Sequence, residues 1–339
     1  MPGPLLDTLK GAKPDIAPVW LMRQAGRYLP EYRALRAEKG GFLELVYDSE
    51  AAAEITVQPI RRFGFDGAIL FSDILIVPHA MGQGLEFLAG EGPKLSPTLL
   101  ESKLSDFTPV YERFDPIYET VRQTRDLISE KVTMLGFAGS PWTVATYMIA
   151  GEGSKDQGPA RLLAYRDPAL MQSIVDAIIE VSVTYLRGQI DAGAEAVQLF
   201  DSWAGSLAPD EFVRWVVAPN AAITAELKRT HPDTPVIGFP KGAGAKLPAY
   251  ARETGVDAIG MDETLDPAWV HANLPDGMPV QGNLDPLLVE AGGPELPKRI
   301  RTILDAFEDR PHIFNLGHGI GQFTPIEHVE QLLVALRGK

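Results

Sequence analysis

The stretch G-A-I-L-F-S-D, residues 67–73, sets the pattern on which the fold is read. Five residues suited to the interior of a strand are followed at once by a hydroxyl and a carboxylate. Runs this short and this continuously apolar fit strands covered on both faces, as in a parallel sheet. The pattern recurs along the chain. Apolar runs at 18–21, 133–137, 196–200, 235–239, 258–261, 279–281 and 313–316 lead into Arg23, Ser140-Pro141-Trp142, Asp201-Ser202, Lys241, Asp262, Asn283 and His318. Helical spacing fills the gaps. Ser49 predicts the cap of a helix through Glu54 and Ile60 that stops near Gly64, and Asp167-Pro168 predicts a capped helix reaching Gly193. Segments 208–228 and 325–336 carry similar spacing. Eight strand–helix alternations predict an α/β protein, a single (β/α)₈ barrel in which residues 1–339 form one catalytic domain. An open doubly wound sheet is the competing architecture.

Composition narrows the function. The 339 residues are 45% hydrophobic and 22% charged, ordinary for a soluble globular protein with a substantial core. No apolar run approaches the roughly 20 residues that span a bilayer. Residues 1–13 lack the charged, apolar and small-residue order of a secretion signal, so a cytoplasmic protein is expected. There is no cysteine, which excludes disulfides, thiolate nucleophiles, Fe–S clusters and Cys-ligated zinc. The net charge is 31 − 45 = −14, which speaks against nucleic acid and anionic membrane as partners. It leaves room for an anionic small molecule met by a local cluster of arginines.

Several strand exits carry chemistry, each with a plainer alternative. In M-R-Q-A-G-R-Y-L-P-E-Y (22–32), Arg23 and Arg27 lie four apart, so one helical turn would put two carboxylate-matching guanidiniums on one face. Gly26 would let the backbone approach a ligand. The alternative is a solvated pair continued by Arg33 and Arg36. Asp73, at the mouth of an apolar barrel, could stabilise a cation or simply cap the next segment. In G-F-A-G-S-P-W-T-V-A-T-Y (136–147), Ser140 and Pro141 predict a helix start facing the barrel mouth, while Trp142 and Tyr147 suit helix–barrel packing. Gly151-Glu152-Gly153-Ser154 reads as a loop and candidate lid. Ser202 could donate to a carboxylate; its surroundings are not a nucleophile elbow. His318, set between glycines in N-L-G-H-G-I-G (315–321), is accessible rather than core filler and reads as functional. His79, His231, His271, His312 and His328 show no metal-ligand spacing. Glycine clusters at 82–87, 242–246 and 317–321 match no nucleotide loop, and turns needing positive φ suffice to explain them.

The segment 22–32, with F-S-D (71–73), G-F-A-G-S-P-W-T (136–143) and N-L-G-H-G (315–319), closely resembles the uroporphyrinogen decarboxylase family over essentially the whole chain. R-Q-A-G-R-Y-L-P is highly specific to it. The resemblance implies a (β/α)₈ barrel, a homodimer, and an enzyme of heme synthesis without metal or other cofactor. It would remove four acetate carboxyl groups from uroporphyrinogen III as CO₂ and yield coproporphyrinogen III. It also implies Asp73, Arg23 and Arg27 as catalytic residues and Arg23, Gln24, Ala25, Gly26, Arg27, Asp73, Tyr147, Ser202 and His318 as substrate contacts. Asp73 becomes the acid facing the pyrrole N–H groups. Tyr147, His318 or a water acting through Asp73 are the candidate proton donors. Tyr32 and Ser202 stand where relatives often carry Phe and Thr. Two rivals are a methyltransferase of the same superfamily, which zero cysteines disfavour, and a non-catalytic tetrapyrrole carrier, which would need no acid like Asp73.

Overall fold

The computed structural model describes residues 3–88, 92–154 and 156–338. The strands are β1 (Gly67–Ile69), β2 (Gly84–Leu88), β3 (Gly92–Ser96), β4 (Thr133–Gly139), β5 (Ala196–Asp201), β6 (Val236–Pro240), β7 (Ala258–Gly260), β8 (Val280–Gln281) and β9 (His312–Ile313). Seven of them form one parallel sheet in the order β1-β4-β5-β6-β7-β8-β9. The run at 18–21 stands between its two edges. Phe314 N donates to Pro18 O at 2.8 Å, Trp20 N to Phe314 O at 3.4 Å, and Asp66 N to Val19 O at 2.8 Å. These bonds close the ring, so the architecture is the (β/α)₈ barrel and not the open sheet. The eighth position is a single bridge, Val19 with Phe314, instead of the regular strand expected. The cause is local: Pro18 has no N–H, and Val19 N is engaged by the Asp66 carboxylate at 2.8 Å.

The barrel interior is filled, as short apolar strands require. A buried polar chain crosses it: Trp20 Nε1 donates to Gln281 Oε1 at 2.9 Å, and Gln281 Nε2 to Gln198 Oε1 at 3.0 Å. Such groups persist in a core because each finds a partner.

The helices follow the expected pattern, with one cap displaced by a residue and one π turn. The helix Ser49–Phe63 is capped by Asp48, whose Oδ1 accepts from Ala51 N at 3.0 Å; the Ser49 hydroxyl accepts from Gln123 instead. Its expected stop holds, with Gly64 at φ 64°. The segment 208–228 is helical from Pro209 to Thr230 as expected, with a π turn over Val213–Val217 between Pro209–Phe212 and Ala218–Thr230. Pro219 lacks the N–H that a continuous ladder would use there. The hairpin β2–β3 follows β1, where no hairpin was expected. It pairs antiparallel from Gly84 with Ser96 to Leu88 with Gly92. Phe87 packs on Phe42 at 4.5 Å between ring centres, and Phe42 on Phe71 at 5.3 Å.

The helix Pro168–Asp191 begins as expected, with Asp167 accepting from Leu170 N at 2.9 Å. By length and composition it could cross a membrane. Here it docks on the barrel: Gln189 brackets Phe137, accepting from its N at 2.8 Å and donating to its O at 3.0 Å. The helix Ile326–Arg337 completes the outer layer.

Candidate active site

The strand exits converge where the barrel's C-terminal rim should hold functional groups. Asp73 follows β1 by a short turn. Its Oδ1 accepts from Leu75 N at 2.8 Å, a turn closed two residues on, while the following helix Ile76–Ala80 starts after Leu75 without a side-chain cap, so the capping alternative fails. Oδ2 has no protein donor among the described residues. Burial raises the Asp73 pKa to about 6, opposed by the Leu75 N–H and by the charge of Arg23. Asp73 is therefore mostly ionised at neutral pH but held in poor solvent, the condition in which a carboxylate best stabilises a nearby cation.

Arg23 and Arg27 do not share a helical face. Residues 22–29 form successive turns, and the helix Pro30–Lys39 starts only afterwards. Arg23 has φ 61°, a left-handed backbone that no helix admits. Both side chains are exposed and neither guanidinium has an acceptor among the described residues. Arg23 is electrostatically coupled to Asp73, Tyr147 and His318. Arg27 stands apart toward the rim, its backbone carbonyl accepting from Arg33 Nη1 at 2.7 Å. Gln24 turns its side chain into the wall, accepting from Leu21 N at 3.0 Å and donating to Gly67 O at 2.9 Å. Ala25 is half-buried against the core, and Gly26 lies close to the Arg23 carbonyl. Tyr32 is buried against Phe71 at 5.8 Å, so its added hydroxyl keeps the apolar contact of a Phe.

Tyr147 lies on the helix Pro141–Ala150, half-buried, with its ring 6.5 Å from that of Trp203. Burial raises the pKa of its hydroxyl, and the Asp73 charge adds to the shift. Ser140 occupies the position before this helix without capping it, since its hydroxyl donates to Asn220 Oδ1 at 2.9 Å. Trp142 is fully buried and donates to Trp203 O at 3.2 Å, a packing role. The 151–154 loop is tied to the hairpin by Leu95 N to Gly151 O at 2.7 Å and by Lys94 beside Glu152 at 3.9 Å. Ser202 leaves β5 half-buried, its hydroxyl without a protein partner among the described residues. His318 is half-buried, and its pKa is lowered to about 3 by burial and by the charges of Arg23 and Lys241, with Asp262 opposing. Without a ligand it stands in the site as a neutral ring.

Sequence reading missed several residues. Phe200 is the only β5 residue not fully buried, placed between Phe137 at 5.5 Å and Phe239 at 5.9 Å as an apolar floor. Asp201 is fully buried; its Oδ1 accepts from Thr143 Oγ1 at 2.5 Å, its Oδ2 has no partner among the described residues, and burial raises its pKa to about 7. Lys241, left unassigned from sequence, lies beside Glu263 at 3.9 Å and bears on His318. Asp262 ties two exits together by accepting from Gly242 N at 2.7 Å and Thr264 N at 2.9 Å. The positive-φ account of the glycines holds for Gly82, Gly242 and Gly244 and fails for Gly84, Gly317, Gly319 and Gly321; at Gly317 the Glu263 backbone and at Gly319 the Arg23 side chain occupy the place of a Cβ. A groove of about 500 Å³ at the opposite end of the barrel, lined by Lys13, Asp15, Arg301 and Arg310 among others, holds none of these groups.

A closed parallel barrel with ionisable and hydroxyl groups gathered at its C-terminal rim defines the class, a (β/α)₈-barrel enzyme. Comparison with known proteins goes further. The family model described as uroporphyrinogen decarboxylase matches residues 3–338. A uroporphyrinogen decarboxylase from Erythrobacter litoralis is 71% identical over 337 residues, covering 99% of both chains. Another from Novosphingobium aromaticivorans is 68% identical, covering 100% of this chain and 99% of the relative. Among solved structures, a methyltransferase from Methanosarcina mazei superposes with a TM-score of 0.80 at 18% identity, covering 99% of this chain and 97% of its own. That likeness shows the fold alone. The chain belongs to the uroporphyrinogen decarboxylase family.

Proposed function

We propose that this chain removes the four acetate carboxyl groups of uroporphyrinogen III as CO₂ to give coproporphyrinogen III, one catalytic domain working without a cofactor. An acetate on a pyrrole keeps its CO₂ because the electron pair has no stable destination. Protonating the adjacent ring carbon makes the ring cationic. The bond to CO₂ then breaks, and its electrons neutralise the cation as an exocyclic methylene. A second proton converts that methylene to a methyl group, and loss of the first proton from the ring carbon restores the pyrrole. One acetate and one net proton become one methyl and one CO₂.

The enzyme must hold a polycarboxylate, stabilise a transient cation and present a surface to an apolar ring. Arg23 and Arg27 offer forked donors for carboxylates at the mouth. Asp73 Oδ2 accepts pyrrole N–H groups and offsets the developing charge. Phe200 faces the macrocycle as an apolar floor, and Tyr147, Ser202 and the neutral His318 complete the polar contacts. The observation that carries this reading is the set of unengaged groups: both guanidiniums, Asp73 Oδ2, the Ser202 hydroxyl and the His318 ring lack protein partners among the described residues, whereas the polar chain inside the barrel is paired. A folded chain leaves so many groups open in one place when a ligand completes them. Incubating the purified protein with uroporphyrinogen III and separating the products tests it; recovery of unaltered substrate under anaerobic conditions refutes it.

The non-catalytic carrier and the methyltransferase are disfavoured by Asp73 and by the lack of thiolate ligands. The chain is further proposed to act in the cytoplasm as a homodimer. Exposed Leu287 and Phe323, on segments following β8 and β9, support an apolar contact near the mouth. Sedimentation as a monomer at micromolar concentration would remove the dimer.

A further inference from the structure

Arg23 is one of two described non-glycine residues with positive φ, the other being Gln157. A left-handed arginine persists only where its surroundings over-determine it. Those surroundings are on both sides of it. Met22 N donates to Asn315 Oδ1 at 2.9 Å, and Met22 O accepts from Ile320 N at 2.9 Å. Asn315 is fully buried, and the same Oδ1 accepts from Leu316 N at 2.7 Å. On the other side, Gln24 is locked to Leu21 and Gly67. The backbone of Arg23 is thus held by the exit loop of β9 and by β1.

The side chain is steered by the same loop. A Cβ built on Gly319 would stand 2.3 Å from Arg23 Cδ, 2.7 Å from Cγ and 2.9 Å from Nε. These are the stem atoms of the arginine, and they occupy the space where any other residue would put its side chain. Gly319 does not have positive φ, so its backbone conformation does not call for glycine; the passage of Arg23 does.

We infer that Gly319 and Asn315 are positioning residues for Arg23, forming a channel from the β9 exit loop that aims its guanidinium across the mouth toward Asp73. The inference rests on the proposed role of Arg23 as a carboxylate binder. It predicts a specific coupling. Gly319→Ala forces the arginine stem out of its channel, and kcat/KM for uroporphyrinogen III falls about 10- to 100-fold, because a shift of about 1 Å at a binding group has effects of this order. Asn315→Ala frees Met22 and acts in the same direction.

A double-mutant cycle separates positioning from general damage. Arg23→Ala, Gly319→Ala and the double variant are compared for kcat, KM and melting temperature. With the arginine stem gone, the new methyl group has room. The double variant therefore turns over no more slowly than Arg23→Ala alone and melts higher than Gly319→Ala. Additive losses in rate, or a melting deficit of Gly319→Ala that Arg23→Ala leaves unrelieved, overturn the inference. So does wild-type turnover by Gly319→Ala. If Arg23→Ala itself turns over normally, the carboxylate-binding role of Arg23 falls instead, and relief of the melting deficit still reads the positioning.

Discussion

Replacing Asp73 with Asn should raise stability and remove activity together, a combination that a capping role does not produce. The Asp73 carboxyl keeps its proton up to a pH of about 6 in the folded chain, against 3.8 for the free group. Between those values the native state binds more protons than the unfolded state. Wild-type stability therefore falls as pH rises through that window and levels off above it. A displacement of about two units corresponds to about 3 kcal/mol, and partial solvent access reduces this to about 1–3 kcal/mol. Asn keeps the Oδ1 that accepts from Leu75 N, so the turn is preserved. At pH 8 the variant should melt about 2–5 °C above wild type, and the advantage should vanish near pH 4. Catalysis moves the other way. If the charge acts mainly on a transition-state cation, kcat falls about 10²–10³-fold with a smaller change in KM. Thermal unfolding at the two pH values and steady-state decarboxylation on one preparation give both readings. Near-normal kcat refutes the catalytic assignment, and a lower melting temperature at pH 8 refutes the electrostatic one.

Arg23→Lys and Arg27→Lys should each lower kcat/KM about 10- to 150-fold, since Lys keeps the charge without the planar fork; normal kinetics from both would leave them as surface charges. Exhaustive chelation and desalting should leave full activity, and a loss restored by a metal or organic factor would contradict the cofactor-free mechanism. Asp201→Asn should stabilise the protein above pH 7 by about 2–4 kcal/mol, with the gain fading toward pH 4. The buried acid keeps its proton to about 7 when folded and loses it far lower when unfolded, while Asn still accepts from Thr143. A uniform loss of stability across that pH range would refute the electrostatic reading.

By itself the sequence determined the barrel and the order of its strands, and it put Asp73, Ser202 and His318 just after strand ends. Apolar runs ending at Asp73, Ser202 and His318 are local patterns, and a strand covered on both faces must be continuously apolar wherever it sits. Caps were legible for the same reason, with an error of one residue where Asp48 and Ser49 both suit the role and Gln123, distant in the chain, engages the serine. The structure alone decided what depends on distant partners. Four-residue spacing pointed to a helical face for Arg23 and Arg27, but Asn315, 293 residues from Met22, fixes a left-handed turn there. Gly319 gives no sign in sequence that an arginine stem occupies its side-chain space. Asp201 looks like any strand-end acid until Thr143, 58 residues away, and the surrounding core enclose it. Backbone periodicity is set by neighbours a few residues apart, whereas charge state, steric room and side-chain direction are set by whatever the closed barrel brings alongside.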